Sequence, residues 1–218
     1  MTARFTTSDG LSLAYEDAGA GLPVLCLPGL TRNARDFDDL AAVLPAGLRL
    51  IRLTFRGREP SEFAPDPALY QIPVEARDTV ELLDHLGLEK VVIVGTSRGG
   101  LVAMTLAATY KDRLAGVLLS DIGPEIAPEG MARIYEYIGV APKGADLDAV
   151  AAALMASLAA QFPTIALERW RILAERWFKM EEGRPALRYD PRLAEPVLAG
   201  RGQDLPDLWP LFDLLEGV

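Results

Sequence analysis

Histidine and cysteine are nearly missing from this sequence, with one of each, His85 and Cys26, in 218 residues. A single cysteine excludes an internal disulfide, and a single histidine excludes a Cys/His zinc cluster. Cys26 lies inside the apolar run 24–27, where burial raises a thiol's pKa and keeps it inert, so a packed core thiol is expected rather than a nucleophile. Positive charge is scarce as well. Lysine and arginine total 22 against 31 acidic residues, a net charge of −9, which argues against an electrostatic grip on nucleic acid or on an anionic membrane. No apolar run approaches the ~20 residues that span a bilayer, the Ala- and Met-rich stretch 149–160 included, and residues 1–10 contain no apolar leader segment. These absences point to a cytoplasmic chain without metal or cofactor, whose partners are small molecules.

Half of the residues are hydrophobic, enough for a sizeable core in one domain with an insertion. The most informative stretch is 91–100, VVIVGTSRGG. Its unbroken run of Val and Ile reads as a strand buried on both faces, and residues 100–109 carry apolar positions at helical spacing. Between them Gly95, Ser97 and Gly99 form a G-x-S-x-G pattern, so strand, corner and helix are joined with no spare loop. Such a corner forces Ser97 into strained backbone geometry with its side chain outward, while the flanking glycines let strand and helix approach each other.

Upstream, segments 4–7 and 11–16 flank Ser8-Asp9-Gly10 and read as a hairpin. Residues 24–27 form a buried strand that runs into Pro28-Gly29-Leu30. A helix over 35–44 would place Phe37, Leu40, Ala41 and Leu44 on one face, and 48–53 is the next strand. The Pro-rich, charged stretch 54–72 reads as a long surface loop, after which Pro73 opens a helix that ends at Gly87. Beyond the helix behind Ser97, residues 114–119 form another buried strand. This alternation calls for a mostly parallel sheet with helices on both faces. From Glu125 onward only helices are expected, around 131–138, 147–162, 165–180 and 207–215. In the third of these Trp170, Leu173, Ala174 and Trp177 follow helical spacing.

The elbow, the Leu-Pro-Gly-Leu turn at 27–30, the Phe-Arg-Gly at 55–57 and the helical insertion after Leu119 together resemble the α/β-hydrolase superfamily with a cap. The resemblance covers essentially the whole chain and divides it into an α/β core (1–123), a helical cap (124–205) and a segment returning toward the core (206–218). It implies that Ser97 attacks an acyl carbon, that a histidine takes its proton, and that an acid orients the histidine. By match of motif, the backbone N–H groups of Leu30 and Arg98 would form the oxyanion hole. Pro28-Gly29 stands where the family usually has His-Gly, a replacement that leaves a main-chain donor in place. The family's acid most often follows the penultimate core strand but in some members follows the strand before the cap. Asp121 matches that second location, in competition with a plain turn role ahead of Gly123-Pro124. Relatives that dehalogenate alkanes or open epoxides use a carboxylate nucleophile. A serine therefore points to a small-molecule acyl substrate: an ester, lactone, thioester, or the C–C bond of a diketone-like compound.

A hydroxyl needs a base, and His85 is badly placed to be one. It lies near the end of the helix that feeds the elbow strand, so the strand's length, about 16 Å, separates it from Ser97. Hydrogen-bond reach is about 3 Å. Turned away from the Ala76, Val80 and Leu83 stripe, His85 reads as a solvated surface residue. The resemblance puts the catalytic histidine after the last core strand, whereas this sequence stops at 215–218, where such a strand would begin. The expectation is therefore a hydrolase core short of its C-terminal strands and inactive for want of the histidine, with the 114–119 strand an exposed edge open to self-association. The alternative is a non-catalytic binding protein of the α/β-hydrolase fold.

Overall fold

In the computed structural model, which describes residues 2–218, the Asp9-Gly10 turn folds β1 (Thr2–Thr6) back on β2 (Ser12–Gly19) as an antiparallel pair. Four further strands follow: β3 (Leu22–Leu27), β4 (Leu48–Leu53), β5 (Val91–Thr96) and β6 (Leu114–Ser120). They complete a six-stranded sheet in the order β1-β2-β4-β3-β5-β6, antiparallel at the hairpin and parallel from β4 to β6. Alternation along β3 shows why both faces must be covered. Leu25 and Leu27 join Leu82, Leu83, Val102 and Leu106 on one face, while Val24 and Cys26 join Phe37 and Leu50 on the other. Helices α2 (Ile72–His85) and α3 (Arg98–Thr109) thus cover the first face and the short α1 (Asp38–Ala42) the second. β6 is an edge strand, and its Leu118 is 54% exposed.

Beyond β6 the chain forms α4 (Pro128–Tyr137), α5 (Leu147–Leu158) and α6 (Leu167–Trp177). Trp170 and Ala174 of α6 pack with Val150 and Ala151 of α5 in a small core of their own. α7 (Ala194–Ala199) and α8 (Trp209–Phe212) complete the fold. No helix among the described residues is long and apolar enough to cross a membrane.

Three sequence expectations need correction. The segment after α6 is a β-hairpin, β7 (Phe178–Glu181) with β8 (Arg184–Leu187), where only helix was expected. Its two-residue turn, Glu182-Gly183, has positive φ at both positions (49° and 76°), the backbone twist that joins two short antiparallel strands. The stretch 54–72 is a surface loop only in its later part, where residues 60, 62, 63, 65, 66, 68 and 71 are exposed. Residues 54–58 are all buried, because carboxylates on α2 neutralise the two arginines they contain. Leu40 is 36% exposed instead of core-facing, since the 3₁₀ turn Ala34–Phe37 that precedes α1 shifts the phase of the apolar face.

Candidate active site

Ser97 joins β5 to α3 in a single residue, with φ 49° and ψ −112°. An L-residue is rarely found there, and surrounding contacts must hold it. They are close ones. A Cβ on Gly99 would stand 2.1 Å from the Leu27 carbonyl oxygen, and a Cβ on Gly95 2.6 Å from that of Gly99, so only glycine fits at either place. From the other side the Ser97 N–H donates to the Ser120 carbonyl at the end of β6 (2.9 Å). Ser97 occupies the N-cap position of α3, yet its side chain makes no capping bond, although a serine there ordinarily would.

The turn after β3 lies against this corner. Arg32 N–H donates to the Gly29 carbonyl (3.1 Å), closing a turn over residues 29–32. A Cβ placed on Gly29 would be 3.9 Å from Ser97 Cβ. Within the turn the Leu30 carbonyl accepts from Arg58 Nε (2.7 Å), which ties down the Leu30–Thr31 peptide that follows the Leu30 N–H. Among the described residues neither the Leu30 N–H nor the Arg98 N–H has an acceptor.

Behind these two donors is a buried ion network that the sequence reading missed. Glu75 of α2 is fully buried and takes Arg58 Nη1 on one carboxylate oxygen and Arg98 Nε on the other, each at 2.6 Å. Burial pushes the Glu75 carboxyl up, but the guanidiniums of Arg98 and Arg58 outweigh it and hold the group below its ordinary range. Arg98 also donates to the Tyr70 carbonyl (2.9 Å). A cation in the first turn of a helix opposes the helix dipole, and Glu75 supplies the charge that makes it tolerable. The signal in the sequence was a carboxylate beside the apolar stripe of an amphipathic helix. Asp78, one turn on, likewise meets the fully buried Arg56 (two contacts of 2.6 Å).

The remaining residues named from sequence are not gathered at Ser97. His85 is exposed at the end of α2, its Nε2 3.3 Å from the Tyr15 hydroxyl and its ring 5.8 Å from that of Phe5. Tyr15 belongs to β2, and β4 and β3 lie between β2 and β5, a lateral offset of about 14 Å at the usual strand spacing. Asp121 directly follows Ser120, with φ 56°, and its exposed side chain has no hydrogen-bond partner among the described residues. Cys26 is fully buried, and burial pushes its thiol up to about 12. No group of three or more His, Cys, Asp or Glu side chains among the described residues is arranged to hold a metal ion. Clefts of about 320 and 610 Å³ open beside Tyr15 and beside Arg113, and Ser97 lines neither.

A parallel sheet flanked by helices, interrupted by a left-handed serine between strand and helix, defines a class of hydrolase, and the chain belongs to it: the profile of the alpha/beta hydrolase fold matches residues 23–185. Among individual proteins, the 3-hydroxybutyrate-oligomer hydrolase of Cupriavidus necator is 34% identical over 206 residues, covering 89% of this chain and 69% of that protein. A serine hydrolase-like protein of Danio rerio is 34% identical over 101 residues, 46% of this chain and 31% of that protein. A crystal structure of an α/β hydrolase from Novosphingobium aromaticivorans matches with a TM-score of 0.91 and 41% identity, covering 99% of this chain and 77% of that one. The chain thus spans only part of the length of the proteins it resembles.

Proposed function

We propose that Ser97 is the nucleophile of an acyl-transfer reaction on a small carboxylic ester. The observation that carries this reading is a strained, uncapped serine followed by the free Arg98 N–H and lying against the Gly29 turn, whose Leu30 N–H is also free. In the first step Ser97 Oγ bonds to the carbonyl carbon, the hydroxyl proton passes to a base, and the carbonyl oxygen takes up the electron pair as an oxyanion on the two N–H groups. Collapse breaks the C–O bond, the base returns the proton to the departing alkoxide to give the alcohol, and water then cleaves the acyl-Ser97 to the carboxylic acid and free serine. Likeness to the 3-hydroxybutyrate-oligomer hydrolase favours an ester of a short hydroxy acid over a lactone, thioester or C–C bond. Asp121, at the end of the strand beside the elbow, is the proposed acid. The helices after β6 are the proposed cap.

His85 does not serve as the base in this reading, so the 218 residues supply a nucleophile and an oxyanion hole but no imidazole to turn them over. Oxyanion stabilisation and binding alone retain about 10³–10⁴-fold catalysis when a triad is incomplete. The test is slow acylation by p-nitrophenyl butanoate, followed by intact mass. One butanoyl group on Ser97, formed faster when imidazole is added and absent in Ser97→Ala, is the expected result. Absence of the adduct, or the same adduct in Ser97→Ala, overturns the proposal in favour of a non-catalytic binding protein.

A further inference from the structure

Arg32 ends the same turn that carries Leu30, and its surroundings set it apart. The point 3.9 Å from Ser97 Cβ at which a Gly29 Cβ would sit is also 3.5 Å from Arg32 Cγ, so the stem of the arginine and the serine both lie beside Gly29. Arg32 is half-buried, and among the described residues it makes no side-chain hydrogen bond. Every other described arginine that is not exposed donates at least one. Its guanidinium lies over the Trp177 ring with Cζ 3.5 Å from the centroid, which holds the plane through cation–π attraction and leaves the edge donors unused.

Asp36 is the nearest acid, but it does not satisfy Arg32. Its Oδ2 stands 3.8 Å from Arg32 Nε, and its Oδ1 accepts the Trp177 indole N–H at 2.8 Å. A structural arginine–carboxylate pair in this protein looks different: Arg49 grips Asp17 through contacts of 3.0, 3.3 and 2.6 Å. The Arg32 nitrogens still reach solvent, so the guanidinium is held in place with its donors free, and its fork matches a carboxylate. We infer that Arg32 receives a carboxylate of the substrate, so that this chain selects acyl substrates bearing an anionic carboxyl group near the reacting carbonyl. Trp177, at the end of α6, braces the receptor, and Asp36 holds the brace. The inference rests on Ser97 being the reacting group.

The test is an NMR titration of the full chain with sodium butanoate and with the neutral analogue butanamide. The wild type is expected to bind butanoate at least tenfold more tightly than butanamide. Arg32→Gln is expected to erase that preference and Arg32→Lys to keep part of it. Asp36→Asn, which removes a competing negative charge, is expected to tighten butanoate several-fold, a gain that misfolding does not produce. Equal binding of the two probes by the wild type, or an unchanged preference in Arg32→Gln, overturns the inference. Acylation of Ser97 by the neutral p-nitrophenyl butanoate is scored separately. Its persistence in Arg32→Gln together with the lost preference supports carboxylate recognition, and its absence in the wild type counts against the nucleophile alone.

Discussion

Glu75 and Arg98 are joined by a 2.6 Å ion pair whose carboxylate is wholly buried. The residue offering one of the two free N–H groups beside Ser97 is therefore fixed from α2, and through Arg58 the same carboxylate also reaches the Leu30 carbonyl, in the peptide next to the one that carries the other free N–H.

Removing Glu75 leaves two guanidiniums without their shared charge. Glu75→Ala is expected to lower stability by about 3–5 kcal/mol, the cost of breaking a buried ion pair, and urea unfolding measures it. Glu75→Gln, milder in shape, is expected to slow Ser97 acylation on the order of tenfold by loosening both donors. A loss of stability without loss of acylation rate would limit Glu75 to a structural part.

Ser97→Gly is expected to stabilise the fold. A non-glycine residue in this conformation costs on the order of 1–3 kcal/mol, offset in part by the entropy glycine loses on folding, so a net gain of about 1 kcal/mol is expected. Thermal unfolding reads it as a raised Tm, and a lowered Tm would show that the corner is not strained.

The parts of the site most visible in the sequence were those written as local pattern. The glycines of the G-x-S-x-G corner and the Pro-Gly turn announce backbone geometry, and the places of Ser97, Leu30 and Arg98 in that geometry follow from position alone. Arg58, Glu75 and Arg32 were not legible, because their roles depend on contacts between residues far apart in the chain. Charged residues within a Pro-rich stretch look like solvent-facing loop until a partner carboxylate on another element is known. The β7–β8 hairpin was hidden for a different reason: its strands are four residues each, too short for alternation to declare itself, and the Glu182-Gly183 turn was the one local sign.

Asp39 sets an acid limit on the docking of α6. Hydrogen bonds from Arg176 and Arg169 hold its carboxyl down to about 2, against about 3.9 for an unfolded aspartate. A depressed folded-state value stabilises above the unfolded one, so the contribution is complete above about pH 4 and fades as pH falls through about 2. The Asp39 side chain is 54% exposed, which screens the pair to no more than about 1 kcal/mol. Near-UV circular dichroism from Trp177 and Trp170 is expected to change over that window, and Asp39→Asn to remove the Asp39 share of the change.

Cys26 gives a readout of global opening. With no exposure and its thiol pushed up to about 12, it is expected to resist a thiol reagent at pH 8 in the native protein and to react promptly in guanidinium chloride. Fast reaction without denaturant would show that the β3 face opens locally.

The contacts that hold the elbow come from both directions along the chain. Leu27 presses on Gly99 from upstream, while Ser120 and Ile122, whose Cγ2 would meet a Cβ on Gly100 at 2.3 Å, lie downstream. During synthesis on a ribosome, Ser97 therefore emerges well before the residues that fix its backbone. The strained corner is completed only once β6 has been made and docked, so the feature proposed to be reactive waits until the sheet around it exists.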